Sequence, residues 1–369
     1  MSAPARLPFV DLHPSDDAAA IRSAVDRVVA SGRYILGPEV EQFETEFASA
    51  CGARFAVGVA NGTDAITLAL RALDIGAGDE VLVPALTAAF TGLAVIAAGA
   101  RPVFVDVDDR TLTIDPESCQ QAVTPRTRAI VPVHLYGQPA EMDRVRRVAE
   151  KHALAIVEDC CQAHLATERG CPVGADADAA AFSFYPTKNL GALGDGGAVT
   201  TRNASLAARI RRLRNGGQSD RYRHVEPGGN SRLDELQAAI LRARLPLLAR
   251  WTARRRELAA VYRRALPSSV KTIEERDTGH VYHLFPVRVP DRDRLQAHLN
   301  AAGIETLIHY PIPLTEQPAF AAYPSSHCPV AAEASRTLLS LPLYPRLADA
   351  DATHVAEEVG VFMKGTQPA

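Results

Sequence analysis

Between Phe55 and Asp159 the chain alternates short, β-branched apolar runs with longer helix-like patterns, and this rhythm narrows the fold more than any other feature. FAVGV (Phe55–Val59) precedes GTDAITLALRAL, and EVLVP (Glu80–Pro84) precedes an apolar helical stretch. PVFVDV, AIVPVHL and LAIVED follow in the same order. Runs that are apolar throughout and separated by helices predict parallel strands covered on both faces. The expected fold class is α/β, with a large three-layer domain around a mainly parallel sheet. After Asn230 the pattern becomes a long helix, SRLDELQAAILRARLPLLARWTARRRELAAVYRRAL, bent at Pro246. A compact unit follows, with a strand near HLFPVRV and a helix at DRDRLQAHLNAAG. Residues 1–245 are therefore read as the large domain, and 246–369 as a linking helix and a small C-terminal α+β domain.

Composition excludes several classes. With 369 residues, 47% hydrophobic and 22% charged, the chain can bury a large core. A net charge of -3 with dispersed arginines makes nucleic acid an unexpected partner, although RARLPLLARWTARRR is basic enough to contact a phosphorylated ligand. The six cysteines show neither CxxC nor paired metal spacing, so no metal site and no disulfide framework is expected. The start, MSAPARLPFVDLHPSDD, lacks a basic and then apolar export signal, and the expected location is a reducing cytoplasm. ALTAAFTGLAVIAAGA (85–100) falls short of the roughly 20 apolar residues a bilayer span needs, so it reads as a buried helix and no membrane partner is expected.

The chemistry concentrates at strand ends, where ligands gather in such sheets. In AFSFYPTKNLGALGDGGAV, Lys188 stands alone among apolar and glycine residues. The glycines match neither a Walker A loop nor a dinucleotide fingerprint. Asp159, closing LAIVED, is costly to bury without a partner: it is either the partner of a protonated pyridine nitrogen, or a capping carboxylate or one bridged to a distant arginine. Asn61-Gly62-Thr63-Asp64 opens a helix and is either a plain cap or a phosphate cradle using the amides of Thr63 and Asp64, with Ser183 adding a hydroxyl. Lysine, carboxylate and anion site together point to pyridoxal phosphate, with Lys188 as its Schiff-base lysine and proton shuttle.

These segments, with GRYILG, VANGTDAITLALRAL, VPVHLYGQPAEMD, VEDCCQAH, GGNSRLDELQAAIL and IHYPIPL, resemble the DegT/DnrJ/EryC1/StrS family of sugar aminotransferases over nearly the whole chain. The resemblance implies fold type I of the pyridoxal-phosphate-dependent transferases and a homodimer. It also implies transfer of an amino group from glutamate to a keto group of a nucleotide-linked sugar, the cofactor passing between pyridoxal and pyridoxamine forms. It makes Lys188 and Asp159 catalytic, Gln162 a contact to the cofactor ring or its 3-hydroxyl, and Ser183 with Gly62, Thr63 and Asp64 the phosphate site. Asn230 would reach the phosphate from the neighbouring subunit, and Tyr185, His309 and Tyr310 would lie near the sugar.

The sequence departs from the family at three places. Ala88 occupies the position of the aromatic residue that stacks on the pyridine, and Phe90 is the expected substitute. Cys160, Cys161 and Leu165 replace smaller residues, with a reshaped sugar pocket as the expected consequence. Lys188 stands where a related dehydrating branch has histidine. The residues after it, Asn189 to Asp195, resemble the branch that aminates C-3 of thymidine-diphosphate 3-keto-6-deoxyhexoses. A 4-keto-sugar aminotransferase and a non-catalytic ligand-binding protein of the same fold are the alternatives.

Overall fold

The computed structural model describes residues 6–365. Seven strands form the central sheet: β1 (Phe55–Val59), β2 (Glu80–Pro84), β3 (Arg101–Val105), β4 (Thr127–Ile130), β5 (Ala155–Asp159), β8 (Ala179–Ser183) and β9 (Gly197–Thr201). Between β5 and β8 lies a small hairpin, β6 (Thr167–Glu168) with β7 (Cys171–Pro172). The sheet order is β1-β9-β8-β5-β4-β2-β3. Every strand is parallel to its fellows except β9, which returns directly from β8 and pairs antiparallel with both β8 and β1.

Both faces are covered, as the apolar runs require. Val81 and Val83 of β2 join one core with Ile66 and Leu70 of the helix Gly62–Ala72. Leu82 between them faces the other side, with Val145 and Val148 of the helix Met142–His152. Likewise Ala179 and Ala181 of β8 face the first core, while Ala180 and Phe182 pack with Phe43 and Phe47 of the helix Pro38–Ala50. The apolar stretch 85–100 forms a helix only over Ala89–Ala97, because Ala85, Leu86 and Thr87 continue from β2 as a turn. It is buried on one face only, through Thr91, Gly92, Ala94 and Val95, while Phe90 and Leu93 face outward. Among the described residues no helix is long and apolar enough to cross a membrane.

After a short hairpin, β10 (Gln218–Asp220) with β11 (Arg223–His224), the long helical pattern is split. Helices Glu235–Arg244 and Leu248–Ala265 flank a 3-10 turn, Leu245–Leu247, that contains Pro246. The second helix packs Leu258 and Tyr262 against a three-stranded antiparallel sheet of β12 (Lys271–Thr272), β13 (Phe285–Arg288) and β14 (Leu338–Leu341). The N-terminal residues join this C-terminal core: Leu7 bridges to Ile304, and the Phe9 amide donates to Glu305 Oε2 at 3.3 Å.

Long-range capping locks the large unit. The Glu235 carboxylate, 1% exposed, accepts from the amides of Gly37 (2.9 Å), Glu39 (3.0 Å) and Val40 (2.8 Å), the otherwise unpaired donors opening helix Pro38–Ala50. Glu235→Ala leaves these buried amides without an acceptor, and chemical denaturation should show a loss of about 2–4 kcal/mol. Glu235→Gln, which keeps one acceptor oxygen, should lose less.

Candidate active site

The carboxyl ends of the parallel strands lie along one edge, and the expected residues meet there. Gly62, opening its helix after β1, packs against β8 and the turn after β5. A Cβ on Gly62 would stand 2.8 Å from both Ser183 Cβ and Cys161 Sγ. Gly197, at the start of β9, presses as closely on the Asn61 backbone, where a Cβ would meet its carbonyl oxygen at 2.4 Å. Glycine is required at both points by this close approach rather than by backbone angle.

At the helix start Asn61 Oδ1 accepts from the Asp64 amide at 2.8 Å. That corrects the expected anion cradle: the Asp64 amide is already satisfied by the cap, and the leading amides of Gly62 and Thr63 are the ones without intrahelical acceptors. Ser183 Oγ, beside Gly62, accepts from the Tyr185 amide at 3.3 Å and retains its own proton for donation.

Asp159 is 5% exposed. Its Oδ2 accepts from Thr91 Oγ1 at 2.9 Å and its Oδ1 from the Cys161 amide at 3.1 Å. Among the described residues it enters no ion pair, so the distant-arginine alternative finds no support in the geometry. A buried carboxylate so placed suits a cationic ring nitrogen. Lys188 sits in the loop that joins β8 to β9, half-buried, with its amide bonded to the Tyr185 carbonyl at 2.8 Å. Burial lowers the pKa of its amine, while the nearby Cys161 thiol and Asp159 act in the opposite direction. The loop is held from below, where Asn189 Nδ2 donates to the Val281 carbonyl at 2.9 Å.

Several participants escaped sequence reasoning. Thr91 holds Asp159, and its signal was its place three residues after Ala88, one helical turn on. Tyr136, left-handed at φ 60°, donates its amide to Gln162 Oε1 at 2.7 Å. Its hydroxyl donates to the His309 carbonyl. Gln162 Nε2 donates to the Tyr310 hydroxyl at 3.0 Å. His164 lies between Phe182 and Phe184 and bonds the Ser183 carbonyl through Nε2 at 2.9 Å. Behind Asp159, His134 Nε2 meets Glu158 Oε2 at 2.8 Å while its Nδ1 accepts the Ala140 amide at 3.0 Å. Glu158, His134 and Cys160 bring three donor atoms within 4.8 Å of one another. The imidazole's one lone pair is occupied by Ala140, however, which leaves it none for a metal ion.

Other expected residues stand elsewhere. Phe90 is 64% exposed, turned about 100° around the helix from Thr91, so the structure does not stack it over Asp159. Ala88 and Thr91 occupy the inward positions instead. Asn230 and Tyr185 are exposed, and Asn230 borders a separate hollow with Ile35, Ala60 and Arg232. Leu165, at φ 58°, packs against the core of Phe182 and Phe184 and not toward the sheet edge. Several arginines of the basic stretch before and after Pro246 are engaged within the chain. Arg244 pairs with Asp17 (2.8 Å), Arg250 with Asp16 and Arg254 with Asp349 (2.7 Å). Arg255 Nη1 donates to the carbonyls of Tyr282, His283 and Leu343.

A half-buried lysine on the turn beyond one strand, facing a buried carboxylate at the end of its parallel neighbour, defines an α/β enzyme working through amine chemistry. The chain belongs to the DegT/DnrJ/EryC1/StrS aminotransferase family, which it matches over residues 15–360. It is 50% identical over 361 residues to the dTDP-3-amino-3,4,6-trideoxy-alpha-D-glucose transaminase of Streptomyces venezuelae, covering 96% of this chain and 95% of that protein. Its structure superposes on S. venezuelae DesV in complex with a ketimine intermediate with a TM-score of 0.95, at 47% identity over 99% of this chain and 100% of that one. The Bacillus subtilis protein NtdA with bound cofactor PMP gives a TM-score of 0.91 at 33% identity, over 98% of this chain and 86% of that one. The architecture is fold type I, as the sequence resemblance implied.

Burial around the site makes several histidines poor bases. It pushes His164 and His280 down to about 3 and His309 to about 4, with the Lys188 amine adding to the effect at His164 and His309. Unfolded, each would titrate near ~6.5, so the unfolded chain binds protons that the folded chain refuses. This contribution to stability is complete above about pH 6.5 and is lost as the pH falls toward the folded values. Thermal unfolding between pH 6.5 and 4.5 should show a falling Tm with a proton uptake that grows as the pH falls. Unfolding without proton uptake in that window would mean that these rings are charged in the native state.

Proposed function

We propose that this chain is a pyridoxal-phosphate-dependent aminotransferase that moves an amino group from glutamate to C-3 of a thymidine-diphosphate 3-keto-6-deoxyhexose. The observation that carries the chemistry is the placement of the Lys188 amine near a buried Asp159 that, among the described residues, enters no ion pair. The residues fit the cofactor. Asp159 would hold the ring nitrogen in its charged form, Gly62, Thr63 and Ser183 would bind the phosphate, and Gln162 would face the 3-oxygen. Bound there, pyridoxal phosphate supplies the electron sink for transamination. Lys188 carries the proton, because burial lowers the pKa of its amine and makes the proton easier to release.

Substrate choice rests on likeness and on the turn after the lysine. The S. venezuelae relative is named for a dTDP-3-amino sugar. Asn189, where many 4-aminating members have histidine, is 5% exposed and bonded to Val281, so it shapes the turn from beneath. His309, Tyr310 and Tyr185 are proposed to border the sugar. Assembly as a homodimer with shared sites is supported by the exposure of Asn230 and by the exposed Tyr185 and Leu193 flanking Lys188.

Purified protein incubated with glutamate and, separately, 3-keto and 4-keto nucleotide sugars should yield a new amine at C-3, located by NMR. Amination at C-4 alone would refute the regiochemistry, and no amination of any keto sugar would refute the substrate class. Lys188→Ala should abolish turnover and the visible cofactor band while leaving the circular dichroism spectrum unchanged. For the shared site, mixing Lys188→Ala with Asn230→Ala chains should restore about a quarter of wild-type activity. Half of randomly assorted dimers are mixed, and each of those has one intact site. Mixtures no more active than the parents would argue for self-contained sites.

A further inference from the structure

Gln162 is a side chain held from both sides. Its amide has one oxygen with two lone pairs and two N–H donors. The Tyr136 amide can only donate, which identifies the atom it meets as oxygen and fixes the orientation of the group. One N–H goes to the Tyr310 hydroxyl oxygen at 3.0 Å. The second remains, on a residue 4% exposed and three positions after Asp159.

The partner on the far side belongs to the C-terminal unit. Segment 307–312 is tied to β14 by Leu307 and Ser340, whose amides and carbonyls pair at 2.8 and 3.3 Å. It is also tied by His309 Nδ1 to Ser340 Oγ at 2.9 Å. The segment reaches the large unit through two bonds, Tyr136 to the His309 carbonyl and Gln162 to Tyr310. Leu307 and Ile312 at its ends are exposed, 48% and 42%, while Ile308 and Tyr310 between them pack against the apolar cores.

We infer that Tyr310 is a positioning residue that acts through Gln162: its hydroxyl oxygen fixes one N–H so that the other is presented to the 3-oxygen of the cofactor. This rests on the reading of Gln162 as a cofactor contact. The titratable groups facing the same place are Asp159 and Cys161 from β5 and its turn, Lys188 from the loop after β8, His164 beside Ser183, Tyr136 after β4, and His309 with Tyr310 itself.

The test is a pH titration of the visible absorption band of the holoenzyme, in the absence of substrate. A donor on the 3-oxygen favours its ionised form, so loosening that donor raises the midpoint. Tyr310→Phe keeps the ring and should raise the midpoint by at least about 0.5 units, a threefold change in the ionisation constant. Gln162→Ala should raise it at least as much. Ser340→Ala, which loosens the same segment without touching Gln162, should leave the midpoint in place. A shift in Gln162→Ala without one in Tyr310→Phe overturns the relay and leaves the Gln162 assignment standing. A shift in neither overturns both. A shift in Tyr310→Phe alone would mean that the phenol acts directly, and an equal shift in Ser340→Ala would reduce the effect to general displacement of the segment. Either result overturns the relay.

Discussion

Everything at this site depends on how closely the helix after β1 approaches the ends of β5 and β8. Gly62 touches the side chains of Ser183 and Cys161 with no space for a methyl group. On its other side the Asn61 backbone rests on Gly197, the first residue of β9. One close contact therefore sets the helix amides beside a serine hydroxyl and brings Asp159 and Lys188 into the same small volume. A larger residue at either glycine would separate the helix N-terminus from the strand ends, and with it the anion site from the amine.

Within that volume the electrostatics are arranged by burial more than by pairing. Asp159 accepts from two donors, Thr91 and the Cys161 amide, and among the described residues enters no ion pair. Lys188 is partly withdrawn from water and its amine binds its proton less tightly, while the surrounding histidines are pushed strongly toward their neutral forms. A desolvated site of this kind gives each remaining charge a long reach, because little water screens it. An incoming cationic ring nitrogen and an anionic phosphate are the two charges it lacks.

The two halves of the molecule meet through a shared apolar core and through directional contacts near this site. Asn189 donates to the Val281 carbonyl, and Tyr136 and Gln162 fasten the segment bearing His309 and Tyr310. The N-terminal residues Leu7 to Phe9 pair with the C-terminal unit as well, so the chain begins on one body, builds the other, and returns.

The sequence alone determined the layered α/β plan, because alternating apolar runs and helical periods are local properties that survive without knowledge of neighbours. It also placed Lys188, Asp159, Gly62 and Ser183 together, since in a parallel sheet all carboxyl ends share one edge. Tertiary structure decided the partners. It gave the Asp64 amide to Asn61, turned Phe90 to solvent and Thr91 to Asp159, and engaged the arginines around Pro246 with carboxylates and carbonyls distant in sequence. It also joined Gln162 to Tyr310, 148 residues apart. The physical reason is common to all four: a side chain's partner is set by direction and by competition among groups that only the packed chain brings within reach.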